Sequence, residues 1–81
     1  MKEAQDAWEL ALILLASQLP HSTFEQWVQP LHVSGVRDNK IVLRGPRRVA
    51  PWSRRRYGGL IDRAIRETSR YEGVVSNDFG Y

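Results

Sequence analysis

Six arginines lie between residues 44 and 56, and no acidic residue stands among them. They are Arg44, Arg47, Arg48, Arg54, Arg55 and Arg56. Guanidinium groups bind phosphates and carboxylates through forked hydrogen bonds, so this run indicates contact with nucleic acid or with an acidic protein surface. A solvated basic face that only keeps a small domain soluble gives the same pattern.

The charge is divided unevenly along the chain. Residues 1–36 carry one basic and four acidic side chains, a net of −3, whereas residues 37–81 carry eleven basic and five acidic side chains, a net of +6. This asymmetry favours phosphate or an acidic partner surface as the ligand of the second part.

The residue types that most often carry catalysis or bind metals are sparse. The chain has no cysteine, His21 and His32 are eleven positions apart, and no carboxylate pair completes a metal-ligand spacing with them. Pro46 removes an amide donor from residues 44–48, which hold one glycine, so no phosphate-cradling loop is expected there. We therefore predict a protein that is not an enzyme and uses no metal and no cofactor.

The length and hydropathy of the chain set its class. Its 81 residues predict one small domain over 1–81. The longest apolar run, residues 10–16, is too short to cross a bilayer, and Glu9 precedes it where a signal peptide would be basic. We expect a cytoplasmic protein without a membrane partner.

Six elements are predicted to position these side chains. Helices are expected over 3–18, 23–28 and 49–68, and strands over 31–36, 41–44 and 71–76. Ser22 and Glu25 have the spacing of a capping box that would start the second helix. Asp38 and Asn39 tolerate a left-handed backbone and predict the turn between the first two strands. The order predicts an α+β fold with the third helix across a small sheet.

The first helix has more apolar surface than one core normally covers. Its two apolar stripes are Trp8, Leu12, Leu15 and Leu19, and Ala4, Ala7, Ala11 and Leu14. Leu10 and Ile13 lie on neither stripe. The surplus is covered either by the rest of the domain or by another molecule, and we predict a weak homo-oligomer.

In the third helix, apolar and basic side chains fall on opposite arcs. Asp62 with Arg66, and Arg63 with Glu67, have the i, i+4 spacing of ion pairs that neutralise part of the basic arc. The least compensated cations are therefore Arg47, Arg48, Arg54, Arg55 and Arg56. The Gly58-Gly59 pair either allows close backbone packing or weakens the helix.

An ordered frame of aromatic, aliphatic and proline residues spans most of the chain. It consists of Trp8, Leu19-Pro20, Phe24, Trp27, Pro30-Leu31, Pro46, Trp52, Tyr57 and Ile61. With the short hairpin, this frame resembles the amino-terminal domain of the bacterial chromosomal replication initiator DnaA over residues 6–66. The resemblance implies a KH-like helix-helix-strand-strand-helix-strand fold. It also implies a non-catalytic adaptor that self-associates, helps recruit the replicative helicase, docks regulators and touches single-stranded DNA weakly.

The resemblance also implies roles for individual positions. It places Trp8 at the self-association contact, where we also expect Leu12. It makes six residues mainly core: Phe24, Trp27, Leu31, Trp52, Tyr57 and Ile61. The surface that meets the helicase or a regulator is expected at Thr23, Gln26, Arg48 and Val49. Thr23 replaces a common acidic residue of the family, and Arg47-Arg48-Val49 replaces Asn-x-Phe, so this surface is more basic here.

Two functions from different classes remain. One is an adaptor in replication initiation that works through protein contacts, in a divergent initiator or in a stand-alone domain of a mobile element or phage. The other is a small single-strand-binding module, in which Trp52 or Tyr57 stacks bases. Its phosphate contacts would come from Arg47, Arg48, Arg54, Arg55 and Arg56. Phosphate binding weakens steeply with salt and apolar association does not, so salt distinguishes them.

Overall fold

The computed structural model describes residues 2–76, which contain three helices and three strands. They are α1 (Lys2–Gln18), α2 (His21–Trp27), β1 (His32–Arg37), β2 (Lys40–Arg44), α3 (Ala50–Thr68) and β3 (Glu72–Val75). This order confirms the predicted α+β class, and each element lies close to its predicted bounds. Within the same residues, no helix is both long and apolar enough to cross a membrane.

The sheet has the strand order β1-β2-β3. β1 and β2 are antiparallel, and the turn between them has φ of 52° at Asp38 and 66° at Asn39, which confirms the predicted left-handed turn. β2 and β3 are parallel. Parallel neighbours need a crossover connection, and α3 provides it.

The core lies between the sheet and the pair α1 and α3. Because side chains of a strand alternate, Ile41 and Leu43 of β2 are buried against the helices while Val42 faces the other side. The apolar arc of α3 is buried as predicted at Ile61 and Ile65.

β3 passes very close to α3. A Cβ at Gly73 would overlap Cδ1 of Ile65, so only glycine fits this position without a shift of its neighbour. The Gly73 amide donates to Oδ1 of Asp62 at 2.9 Å, and Oδ2 of Asp62 is 3.1 Å from Nε of Arg66. Asp62 therefore holds β3 to the helix as well as forming the predicted ion pair.

The capping box predicted for α2 is wrong. Pro20 is the N-cap, and its carbonyl accepts the Phe24 amide at 2.9 Å. The helix therefore begins at His21, Ser22 lies inside its first turn, and no side chain caps it. Glu25 lies 3.0 Å from Nε2 of His21 instead of reaching back to Ser22.

The Gly58-Gly59 pair in α3 does not serve close packing. A Cβ at Gly58 would meet its nearest neighbour, Cγ of Arg54, at 4.0 Å, and a Cβ at Gly59 would meet nothing within 4 Å. Of the two alternatives, the pair is therefore a weak point of the helix, since glycine costs about 1 kcal/mol relative to alanine in a helix interior.

A polar cluster ties the start of α1 to the end of α3. Nη2 of Arg70 donates to Oε1 of Glu3 at 2.8 Å, and the Tyr71 hydroxyl donates to the same oxygen at 2.7 Å. The Tyr71 hydrogen bond and then the Arg70 guanidinium hold the pKa of Glu3 below its ordinary value. Nδ2 of Asn39 donates to the Arg70 carbonyl at 2.9 Å, so the hairpin turn is attached to the same point.

Candidate functional site

A groove of about 650 Å³ lies between the end of α2 and the start of α3. Its lining residues are Gln26, Trp27, Pro46, Arg47, Arg48, Val49, Pro51 and Trp52. Three of the four residues predicted to face a partner, Gln26, Arg48 and Val49, therefore lie together. The fourth, Thr23, is half-buried on α2 and does not line the groove.

Backbone contacts hold the two sides of the groove together. The fully buried hydroxyl of Ser53 donates to the Trp27 carbonyl, which attaches α3 to the end of α2. The Pro46 carbonyl accepts the amides of Val49 and Ala50, both at 2.9 Å, so the loop forms a tight turn into the helix. These two amides are consequently not free to bind an anion.

Trp52 is the main departure from the predicted core. Its side chain is 50% exposed, because it precedes the buried Ser53 by one residue and therefore lies 100° away from the buried face of α3. Of the other five predicted core residues, Leu31 and Ile61 are buried, whereas Phe24, Trp27 and Tyr57 are half-buried. The groove thus presents a large indole that the sequence resemblance had assigned to the core.

The five arginines predicted to bind nucleic acid do not form one surface. Arg47 and Arg48 line the groove. Arg54 lines a hollow of about 290 Å³ on the side of the sheet where Val42 and Val74 lie, together with Arg37 and Lys40. Arg55 and Arg56 are exposed on α3. Since consecutive helical residues are rotated by about 100°, positions 54–56 cannot share a face.

Trp8 is buried rather than presented at the surface. Only 1% of it is exposed, on a face of α1 that also contains Ala4, Ala7, Ala11 and Leu15. The two predicted stripes of the helix are therefore largely one buried face that packs against α3. Trp8 can therefore influence a self-association contact only indirectly, through the packing of α1. Leu12, the other residue predicted at that contact, is half-buried.

The exposed apolar residues of α1 lie on a different side of the helix from Trp8. Leu10 is 51% exposed and Ile13 is 69% exposed, on the side opposite the buried face. These are the two residues that belonged to neither predicted stripe. Self-association itself stays a prediction, with Leu10 and Ile13 as the exposed apolar residues able to support it.

Acidic side chains without an ion pair lie on α1, and arginines without an ion pair lie in the groove. Within residues 2–76, Asp6 and Glu9 on α1 form no ion pair, and neither do Arg47 and Arg48 in the groove. On α3, by contrast, the predicted pair of Arg63 with Glu67 is present at 3.0 Å. No group of three His, Cys, Asp or Glu side chains able to hold a metal ion occurs in the described part of the chain.

Comparison with known proteins gives one informative relative. No protein-family profile matches the chain. Over 65 residues the chain is 34% identical to the chromosomal replication initiator protein DnaA of Magnetococcus marinus, a stretch that covers 78% of this chain. The same stretch spans only 14% of that protein. The similarity supports the presence of a DnaA-related domain in this chain.

Proposed function

We propose that the chain is a non-catalytic adaptor in the initiation of DNA replication, equivalent to the amino-terminal domain of DnaA. In this proposal the groove between α2 and α3 binds the replicative helicase or a replication regulator, in the cytoplasm. The observation that carries the proposal is the grouping of Gln26, Arg48 and Val49 around the half-exposed Trp52. The similarity to an initiator protein supports the biological process.

The chemistry of the groove suits a protein ligand. Trp52 and Val49 give it an apolar centre, and Arg47 and Arg48 provide cations that no acidic residue of the described chain neutralises. Protein interfaces commonly combine an aromatic anchor and arginines in this way. The partner segment is then one that presents an apolar side chain beside carboxylates.

Binding to the purified replicative helicase of the host tests the proposal. We expect Trp52→Ala to weaken binding by about 30-fold or more, the loss typical of a central aromatic anchor (about 2 kcal/mol). Lys40→Ala is the control, because Lys40 is exposed at the start of β2 and does not line the groove. Calorimetric titration gives both affinities. Absence of binding by the wild-type chain, or an equal loss in the control, would refute the assignment of this surface.

Single-stranded nucleic acid is the second candidate ligand, favoured by the exposed indole of Trp52 beside Arg47 and Arg48. A base can stack on the indole while the guanidinium groups bind phosphates. Binding should be sequence-indifferent and no tighter than about micromolar. Replacing both arginines with alanine should reduce the slope of log affinity against log salt by about 1.4, since about 0.7 is lost per phosphate contact. Fluorescence anisotropy with a labelled oligonucleotide measures this, and no binding at low salt would eliminate the candidate.

A further inference from the structure

The outer face of α1 carries an acidic stripe with an apolar centre. Asp6, Glu9, Leu10 and Ile13 follow the i, i+3, i+4, i+7 spacing and so lie on one side of the helix. Leu10 and Ile13 are 51% and 69% exposed, and Asp6 and Glu9 form no ion pair within residues 2–76. We call these four residues the acidic stripe.

The groove has the opposite charge and a matching apolar centre. Trp52 and Val49 lie in it beside Arg47 and Arg48, and its lining includes no acidic residue. Four large hydrophobic side chains are exposed in the described part of the chain: Leu10, Ile13, Val36 and Trp52. All but Val36 belong to the acidic stripe or to the groove. The two surfaces are therefore complementary in charge and in apolar content, and they lie on different elements of the fold.

We infer that the acidic stripe of one copy docks in the groove of a second copy, so that chains associate head to tail. The inference rests on the proposed function, because the adaptor that the sequence resemblance implies self-associates, and it specifies the geometry of that contact. A symmetric contact between two α1 helices would instead bring Asp6 and Glu9 of both copies together, which like-charge repulsion disfavours. In the head-to-tail contact the same carboxylates meet Arg47 and Arg48.

This geometry has two consequences. Because the contact joins two different surfaces, each bound pair keeps one free stripe and one free groove, and association continues beyond the dimer. A groove occupied by another copy is also closed to a partner protein. Self-association and partner binding therefore compete for every groove except the free one at the end of the assembly.

Charge reversal on each surface tests the inference by sedimentation equilibrium. The stripe variant is Asp6→Lys with Glu9→Lys, and the groove variant is Arg47→Glu with Arg48→Glu. Each alone should lose association by about 100-fold or more, because it places like charges opposite each other. An equimolar mixture of the two should associate past the dimer as the wild type does. The unchanged stripe of one variant meets the unchanged groove of the other, and the reversed stripe meets the reversed groove. The wild type should increase in average mass past the dimer as its concentration rises.

The control carries the same change of charge as the groove variant but outside both surfaces: Arg37→Glu with Lys40→Glu at the exposed hairpin turn, which should associate like the wild type. Circular dichroism checks that every variant is folded. A chain that carries all four stripe and groove substitutions should regain association, because both charges are reversed together.

The possible refutations are distinct. If the groove variant alone associates as the wild type does, the contact does not use the groove; the inference fails while self-association stands. A wild type that stays monomeric at millimolar concentration refutes the inference and the self-association together. Partner binding to the groove, measured separately with the helicase, is then still open to its own test.

Discussion

Trp8→Ala should destabilise the fold rather than simply remove a surface contact. The indole is 1% exposed and packs in the core with Leu15 of the same helix and with α3. No charged group is involved, so the loss is one of packing and apolar burial. Truncation leaves a cavity that the small residues around it, Ala4, Ala7 and Ala11, cannot fill.

The expected loss is large compared with the stability of so small a domain. Replacing a buried tryptophan by alanine costs about 3–5 kcal/mol. A domain of 81 residues has a free energy of unfolding of about 4–12 kcal/mol, so this one substitution removes a large share of it. With about 4–8 °C per kcal/mol for domains of this size, the midpoint of thermal unfolding should fall by about 12–40 °C.

Urea unfolding followed by circular dichroism measures the effect without depending on tryptophan fluorescence. Trp52→Ala is the matched control, because the same side chain is 50% exposed there and its loss should cost only about 1 kcal/mol. A Trp8→Ala variant within 1 kcal/mol of the wild type would contradict the burial argument. So would an equal loss in both variants.

Two further predictions concern glycines and acid stability. Alanine at either position of the Gly58-Gly59 pair should raise the free energy of unfolding by about 0.5–1 kcal/mol, whereas Gly73→Ala should lower it because its Cβ would overlap Ile65. Thermal unfolding measures the sign of each change, and a gain in stability at all three positions would refute the reasoning. The folded pKa of Glu3 lies below its ordinary value of 4.5, so the stability linked to it is present above that pH and is lost as the pH falls through the folded pKa. Tyr71→Phe should raise the pKa of Glu3 toward 4.5 in an NMR titration, and an unchanged pKa would show that the hydroxyl does not stabilise the carboxylate.

Local features of the fold were predictable because they depend on residues near one another in the chain. The six elements follow from hydrophobic periodicity and from prolines that end helices. The left-handed backbone of Asp38 and Asn39, and the i, i+4 ion pairs of α3, are local in the same sense. The capping box failed although it was local, because Pro20 already supplied an N-cap that starts the helix at His21.

The candidate site was only partly predictable. The sequence resemblance pointed to Gln26, Arg48 and Val49, but the groove exists because the Ser53 hydroxyl joins α3 to the Trp27 carbonyl, a contact between residues 26 positions apart. The spacing of the arginines suggested one basic surface, whereas the helical rotation between Arg54 and its neighbours divides it.

By itself the sequence determined the secondary structure, the uneven charge and the surplus of apolar residues on α1. Only the tertiary structure decided which aromatic residues are inside: it buries Trp8 and exposes half of Trp52. It also joined Glu3 to Arg70, residues 67 positions apart. The physical reason is that periodicity gives the direction of a side chain about its own helix, whereas burial depends on which other element packs against that side. That choice is made by long-range packing, which the spacing of residues along one element does not encode.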